Sequence, residues 1–457
     1  MLPANCNYES YFKESLCYLR DYQWIYNFAV TNVLVEDVLS RIPEDWLSAL
    51  MQLTNDELNQ LPFGFEKDGW PASLAAFCRR SRALLLAPEH GPPGVDPAQL
   101  PRELRTGLSP KKQHEVCRLA ALVQRECRAL GATCVLDVGS GLGYLGRLLH
   151  HRYGLRVLGV EADPCKVATA RRRALGCCAA GVAYVSAAVA PGCEPLVRRS
   201  VRAALLARHT DCCRADQEEE EESPAVCAVA LHACGDLTPS MLDLFAFVPE
   251  LRGLVLVPCC HHKASPGGSA RFPLSARLRA AARGAEIARP ALLLRLASQE
   301  TAARWRGTSE QEHGAHAFHV LSRAVLELHA RQASLELVKK KRRCVRRGKL
   351  GTPGFEGFVS DALERYDHVG PGGDDEAELR AGLGRLWRAH EGSARALELL
   401  TALQVVMQAP AEHLVALDRL AYLREVTPGA EARLLRALDD GVSPRCLALV
   451  ARKPPRS

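Results

Sequence analysis

The stretch CVLDVGSGLGYLGRLLHHRYGLRVLGVEAD, residues 134–163, decides how the rest of the chain is read. Cys134–Val138 is an apolar run of strand length, and Gly139, Gly141 and Gly143 follow it at once. Leu142–Arg152 then carries apolar residues at helical spacing, and Arg156–Val160 is a second short strand. A buried strand, a glycine turn and a helix let a ligand approach the backbone, because glycine has no Cβ in the way. Asp137, near the end of the first strand, offers a hydrogen-bond acceptor. Glu161 ends the second strand about twenty residues beyond the glycines, where a carboxylate suits sugar hydroxyls. The predicted cofactor site is therefore Asp137, Gly139, Ser140, Gly141, Gly143, Glu161, Ala162 and Asp163.

The glycine spacing narrows the ligand. A dinucleotide turn reads G-x-G-x-x-G, whereas this one reads GSGLG. The pairing of D-x-G-x-G-x-G with the acid of GVEAD resembles the class I methyltransferase pattern. That resemblance implies S-adenosyl-L-methionine as cofactor and an α/β fold with a Rossmann-like seven-stranded sheet. A nicotinamide dinucleotide site and a fold that has lost its ligand are the alternatives.

Working outward, LSPKKQHEVCRLAALVQRECRALG precedes the first strand. It reads as a helix with Ser109 as N-cap, Pro110 at the first position and Gly131 as C-cap. A third strand is expected near Val182–Val185, and the acidic run Gln217–Ser223 interrupts the pattern as a solvated loop. The sheet resumes with AVCAVALHACGDL and LRGLVLVPCCHHK, whose apolar runs fit buried strands. Strands alternating with helices imply a mainly parallel sheet covered on both faces. Four segments result. Residues 1–108 form a helical N-terminal region, 109–263 the Rossmann-like core, and 264–400 a helical, basic insertion. Residues 401–457 supply a helix and a strand pair that completes the sheet as an antiparallel edge.

Composition bounds the class without choosing a partner. The chain has 457 residues, 47% hydrophobic and 24% charged, with a formal net charge of +7. No apolar run approaches the ~18 residues of a membrane span. No signal-type apolar stretch opens the sequence, so the 18 cysteines are expected to stay reduced, in the cytosol or nucleus. The densest positive charge is Lys339 to Lys349, VKKKRRCVRRGKL in context. It suits a phosphate backbone, a nuclear-import signal or a solvated loop equally.

Two later segments carry unusual side chains, LHACGDLT (Leu231–Thr238) and PCCHHK (Pro258–Lys263). Each follows a predicted strand, and ligands in such sheets bind beyond the strands' carboxyl ends. His232 or His261 is the expected proton acceptor, with Asp236 orienting it or binding substrate. Cys234, Pro258, Cys259, Cys260 and His262 are expected to line the substrate side, and Lys111, Lys112 and His114 to meet substrate phosphate. Zinc ligand types are present among these residues. Neighbouring side chains point apart on an ordinary backbone, so no metal is expected.

The combination of KKQHE, VLDVGSGLG, VEAD, HACGDLT and PCCHHK resembles the methyltransferase-like 25 family over most of the chain, including LDRLAYLRE and SPRCLALVARKP. LHACGD and CCHH are also similar to segments of eukaryotic tRNA 2′-O-methyltransferases that modify position four of the acceptor stem. These resemblances imply a methyltransferase acting on RNA, at a ribose hydroxyl or a base. Amino-directed adenine enzymes carry an N-x-P-[FY] segment after the fourth strand. Ala233, Cys234, Gly235 and Asp236 stand there instead, with no proline or aromatic. A protein methyltransferase and a non-catalytic cofactor-binding scaffold are the competing readings.

Overall fold

A computed structural model of the chain describes residues 7–175, 181–206, 225–263, 271–284, 289–340, 354–371, 373 and 375–455. The acidic run 217–223 and residues 341–349 of the basic cluster lie outside the described residues. The strands are β1 (Glu89–His90), β2 (Cys134–Val138), β3 (Arg156–Glu161), β4 (Val182–Ser186) and β5 (Val226–Cys234). They continue with β6 (Leu251–Cys259), β7 (Glu336–Lys339), β8 (Tyr366–Val369), β9 (Glu431–Arg436) and β10 (Leu447–Arg452).

Eight of them form one sheet in the order β1-β9-β10-β6-β5-β2-β3-β4. β4, β3, β2, β5 and β6 run parallel to one another. Every residue of β2 is buried, as expected for a strand covered on both faces. The order reverses direction between β2 and its neighbours β3 and β5, the place where open α/β sheets bind ligands.

The sheet follows the sequence expectation, with one short strand added. A two-residue strand, β1, pairs in parallel with β9 and makes eight rather than seven. Only β10 is reversed, and with β9 it forms the expected antiparallel pair at this end of the sheet, lying between β6 and β9 with only β1 beyond. The reason is connectivity. The turn after β9 sends the chain straight back along it, whereas the helix Ala394–Val426 delivers β9 parallel to β6.

The helix Pro110–Leu130 begins and ends as its sequence predicts. Ser109 Oγ accepts from the Lys112 backbone N–H at 3.3 Å, Pro110 fills the first turn and Gly131 takes φ +62°. Its buried stripe includes Leu119, Leu122 and Val123 and also two carboxylates, Glu115 and Glu126.

The chain condenses into two compact units, each discontinuous in sequence. The first comprises residues 1–17, 84–304 and 409–457 and contains the whole eight-stranded sheet. The second comprises residues 18–83 and 305–408. Its interior is aromatic and aliphatic. Phe355 stacks on Trp387 at 4.3 Å, Val325, Val359 and Leu383 are buried, and β7 and β8 pair as a separate antiparallel ribbon. No described helix is long and apolar enough to cross a membrane.

Candidate functional site

The glycine turn is built by backbone. Gly139, Gly141 and Gly143 take φ of +69°, +57° and +76°, and the Gly139 and Ser140 N–H groups donate to the Val160 carbonyl. A Cβ on Gly141 would meet nothing within 4 Å among the described residues, so the turn faces open space there. A Cβ on Gly143 would instead run into Tyr184, whose hydroxyl donates to the Gly143 carbonyl. Glu161 holds the turn from the next strand. Its Oε2 accepts from Gly141 N–H at 2.9 Å and its Oε1 from Asp163 N–H at 3.1 Å. A carboxylate has about four lone-pair sites, so acceptor capacity remains for a diol.

Asp137 is buried, and its Oδ2 has no hydrogen-bond partner among the described residues. Desolvation pushes its pKa up to about 7, opposed by Lys112 and assisted by Glu161. A buried acceptor left unpaired is costly unless something else satisfies it. Asp137, the open turn at Gly141 and the partly used Glu161 carboxylate fit an adenosyl ligand with a ribose and a charged amino acid tail. Asp163 Oδ1 caps the helix Pro164–Leu175 through the Cys165 N–H at 2.9 Å, and Ser140 Oγ, beside Gly159, is buried without a hydrogen-bond partner among the described residues. Ala162 is exposed beyond β3.

The second half of the site lies on β5 and β6, and it includes a residue that sequence reasoning missed. Glu115, only 1% exposed, accepts from His232 Nε2 at 3.1 Å and from Ser443 Oγ at 2.8 Å. Burial alone would raise its pKa. The hydrogen bond and charge of His232, with Ser443 and Lys112, outweigh burial and bring it down to about 2. Lys111 and Lys112 stand 3.8 and 3.7 Å from the same carboxylate. Desolvation pulls the Lys112 pKa down, while Glu115 and Asp137 pull it up. Lys112 thus lies electrostatically between the two halves. The signal for Glu115 was present in the sequence as a carboxylate in register with the apolar stripe of its helix.

The structure separates residues that the sequence grouped. His114 Nε2 accepts from the Asp439 backbone N–H, which ties it to the β9–β10 turn. His261 is buried, and desolvation together with Arg419 and Arg445 pushes its pKa down to about 3. It therefore stays neutral, a poor proton acceptor. Asp236 lies at the start of the helix Leu237–Phe247 and interacts with the Arg419 charge. The carboxylate hydrogen-bonded to His232 is Glu115. Pro258 is buried in β6, opposite Ala233 of β5.

Cys234, Cys259 and Cys260 converge, with their sulfur atoms all within 4.8 Å of one another. The Cys234 thiol is pulled down to about 6, first by the hydrogen bond from Cys259, whereas Cys259 is pushed up by the same contact. His262 follows them on the loop after β6, with its pKa lowered by desolvation.

Comparison with known proteins agrees with this geometry. Residues 111–266 match a family model described as a methyltransferase domain. Mouse "Probable methyltransferase-like protein 25" is 26% identical over 255 residues, 49% of this chain and 37% of that protein. The human protein of the same name is 27% identical over 246 residues, again 49% of this chain and 36% of that one. The match thus spans little more than a third of each relative. Among solved structures, geranyl diphosphate C-methyltransferase from Streptomyces coelicolor A3(2) aligns at 16% identity. That alignment covers 40% of this chain and 63% of the other, with a TM-score of 0.20. Residues 111–266 thus match a methyltransferase domain, the sheet that contains them has the class I strand order, and about half of the chain is similar to the methyltransferase-like 25 proteins.

Proposed function

We propose that the chain is an S-adenosyl-L-methionine-dependent methyltransferase whose acceptor is an RNA hydroxyl. The observation that carries the cofactor reading is the unpaired, buried oxygen of Asp137 beside a glycine turn that opens onto free space. Gly139–Gly143 would receive the adenosyl group, Glu161 the ribose and Asp137 the amino acid tail. When bound, the cofactor supplies an electrophilic methyl carbon for an in-line displacement.

A hydroxyl must lose its proton as it attacks, and the Glu115–His232 pair is suited to take it. With Nε2–H directed at Glu115, the lone pair of His232 rests on Nδ1. Glu115 orients the ring and stabilises the imidazolium that forms, as a buried carboxylate does in other acid–base sites. Lys111 and Lys112 beside the pair favour a polyanionic acceptor. The described cysteines are free thiols, in keeping with work in the cytosol or nucleus.

The test is incubation of the full chain with methyl-labelled cofactor and total cellular RNA and protein. Label that ribonuclease removes and protease spares, with 2′-O-methylribose found by nucleoside mass spectrometry, is expected. Protease-sensitive label would transfer the reading to a protein acceptor. Cofactor binding by calorimetry with no label in either pool would leave a scaffold.

A further inference from the structure

We propose that Cys234, Cys259 and Cys260 form a three-thiolate site for a zinc ion, with the fourth coordination position left to water or an incoming ligand. Cys234 and Cys259 are the last residues of adjacent parallel strands, and the sheet register pairs them directly. Paired residues on neighbouring strands project to the same face. Cys260 should then point away from Cys259, as successive residues of an extended chain do. It does not, because Cys260 takes φ +46°, a conformation rarely adopted outside glycine. The kink turns its sulfur to 3.4 Å from that of Cys259.

The loop is held in this shape from both sides. Gly235 N–H donates to the Cys259 carbonyl, and a Cβ on Gly235 would collide with the Lys263 carbonyl. Lys263 N–H in turn closes on the Cys260 carbonyl at 2.9 Å. The two loops therefore interlock around the thiols.

The spacing fits a tetrahedral soft cation. Thiolates ~2.3 Å from zinc stand about 3.8 Å apart. The observed 3.4 Å pair, and a triangle with no side beyond 4.8 Å, bracket that value. All three residues are half-buried rather than sealed in the core, which leaves a route for the ion. Binding releases whatever thiol protons remain to solvent as the sulfurs become ligands. Three protein ligands with one open position is the arrangement of zinc sites that handle an exchanging ligand. The site stands independently of the methyl-transfer reading.

The test uses the full chain purified under reducing conditions in zinc-replete medium, with metal content measured by plasma mass spectrometry. About one zinc per chain is expected, falling about tenfold or more in C259S and in C260S. C165S and C446S, which change cysteines elsewhere, should retain it. Variants that fail to fold are bypassed by titrating metal-free wild type with cobalt(II). A thiolate-to-cobalt charge-transfer band that zinc abolishes is expected. No zinc in the folded protein together with no such band would overturn the site. So would zinc retained in both C259S and C260S, or a disulfide among these cysteines in the reduced preparation.

Discussion

The carboxyl ends of β2 and β3 and those of β5 and β6 solve different problems. At β2 and β3 the backbone does the positioning, and polar groups are left unfinished. Among the described residues, Gly141 faces empty space, Asp137 Oδ2 has no partner and Glu161 uses only part of its acceptor capacity. At β5 and β6 the side chains satisfy one another. His232 is held by Glu115, and three thiols lie against each other. A site that binds by shape keeps its acceptors free for the ligand. A site that moves a proton needs its groups oriented beforehand, which reduces the reorganisation required during reaction.

The contrast predicts that substitutions at the two ends separate binding from turnover. The largest effect is expected for H232A. Turnover should fall 10²–10⁴-fold, the usual loss of a general base, while calorimetric affinity for the cofactor stays within about threefold. E115Q should fall less, and H232A/E115Q no further than H232A alone, because the pair acts as a unit. Additive losses would show that Glu115 does not work through His232.

Next in size is G141L. The turn residue has φ +57°, which costs a branched side chain roughly 1–2 kcal/mol. The larger penalty is that leucine would occupy the open ligand space, so affinity should drop about 100-fold, some 2.7 kcal/mol. Binding unchanged in G141L would remove the cofactor site from this turn.

The smallest effect on binding is expected from D137N, and its effect on stability has the opposite sign. The folded-state pKa is raised from 3.8 to about 7. A raised pKa contributes stability that is complete below the unfolded value and is lost as pH rises through the folded value. At pH 8 the ligand-free protein therefore carries a buried charge that D137N removes. The variant should be more stable there by about 2–4 kcal/mol in denaturant melts, and level with wild type near pH 4. Its cofactor affinity should nonetheless fall about tenfold, because the acceptor for the ligand is weakened. Stability curves that run parallel from about pH 4 to 8 would contradict the burial of this charge.

Much of the fold was legible in short-range patterns. The caps of the helix Pro110–Leu130, the limits of β2 and the glycine turn follow from nearest-neighbour rules of backbone conformation. The acidic end of β3 followed from strand length. Less was legible wherever two distant segments had to meet. His114 and Glu115 are adjacent in sequence, yet the first turns to Asp439 and the second to His232 and Ser443. His232 and His261 share a residue type, but only His261 is buried beside two guanidinium groups. The insertion of β10 between β6 and β9, and the gathering of 18–83 with 305–408, likewise join segments far apart along the chain.

The amino-acid order by itself determined a strand, a bare-backbone bend and an acid one strand over, because those depend on what each residue permits within a few bonds. Only the tertiary structure decided which carboxylate holds the imidazole and which sulfurs meet. Those outcomes rest on strand register, on burial and on a single reversed backbone angle at Cys260, none of which is a property of any short stretch of chain.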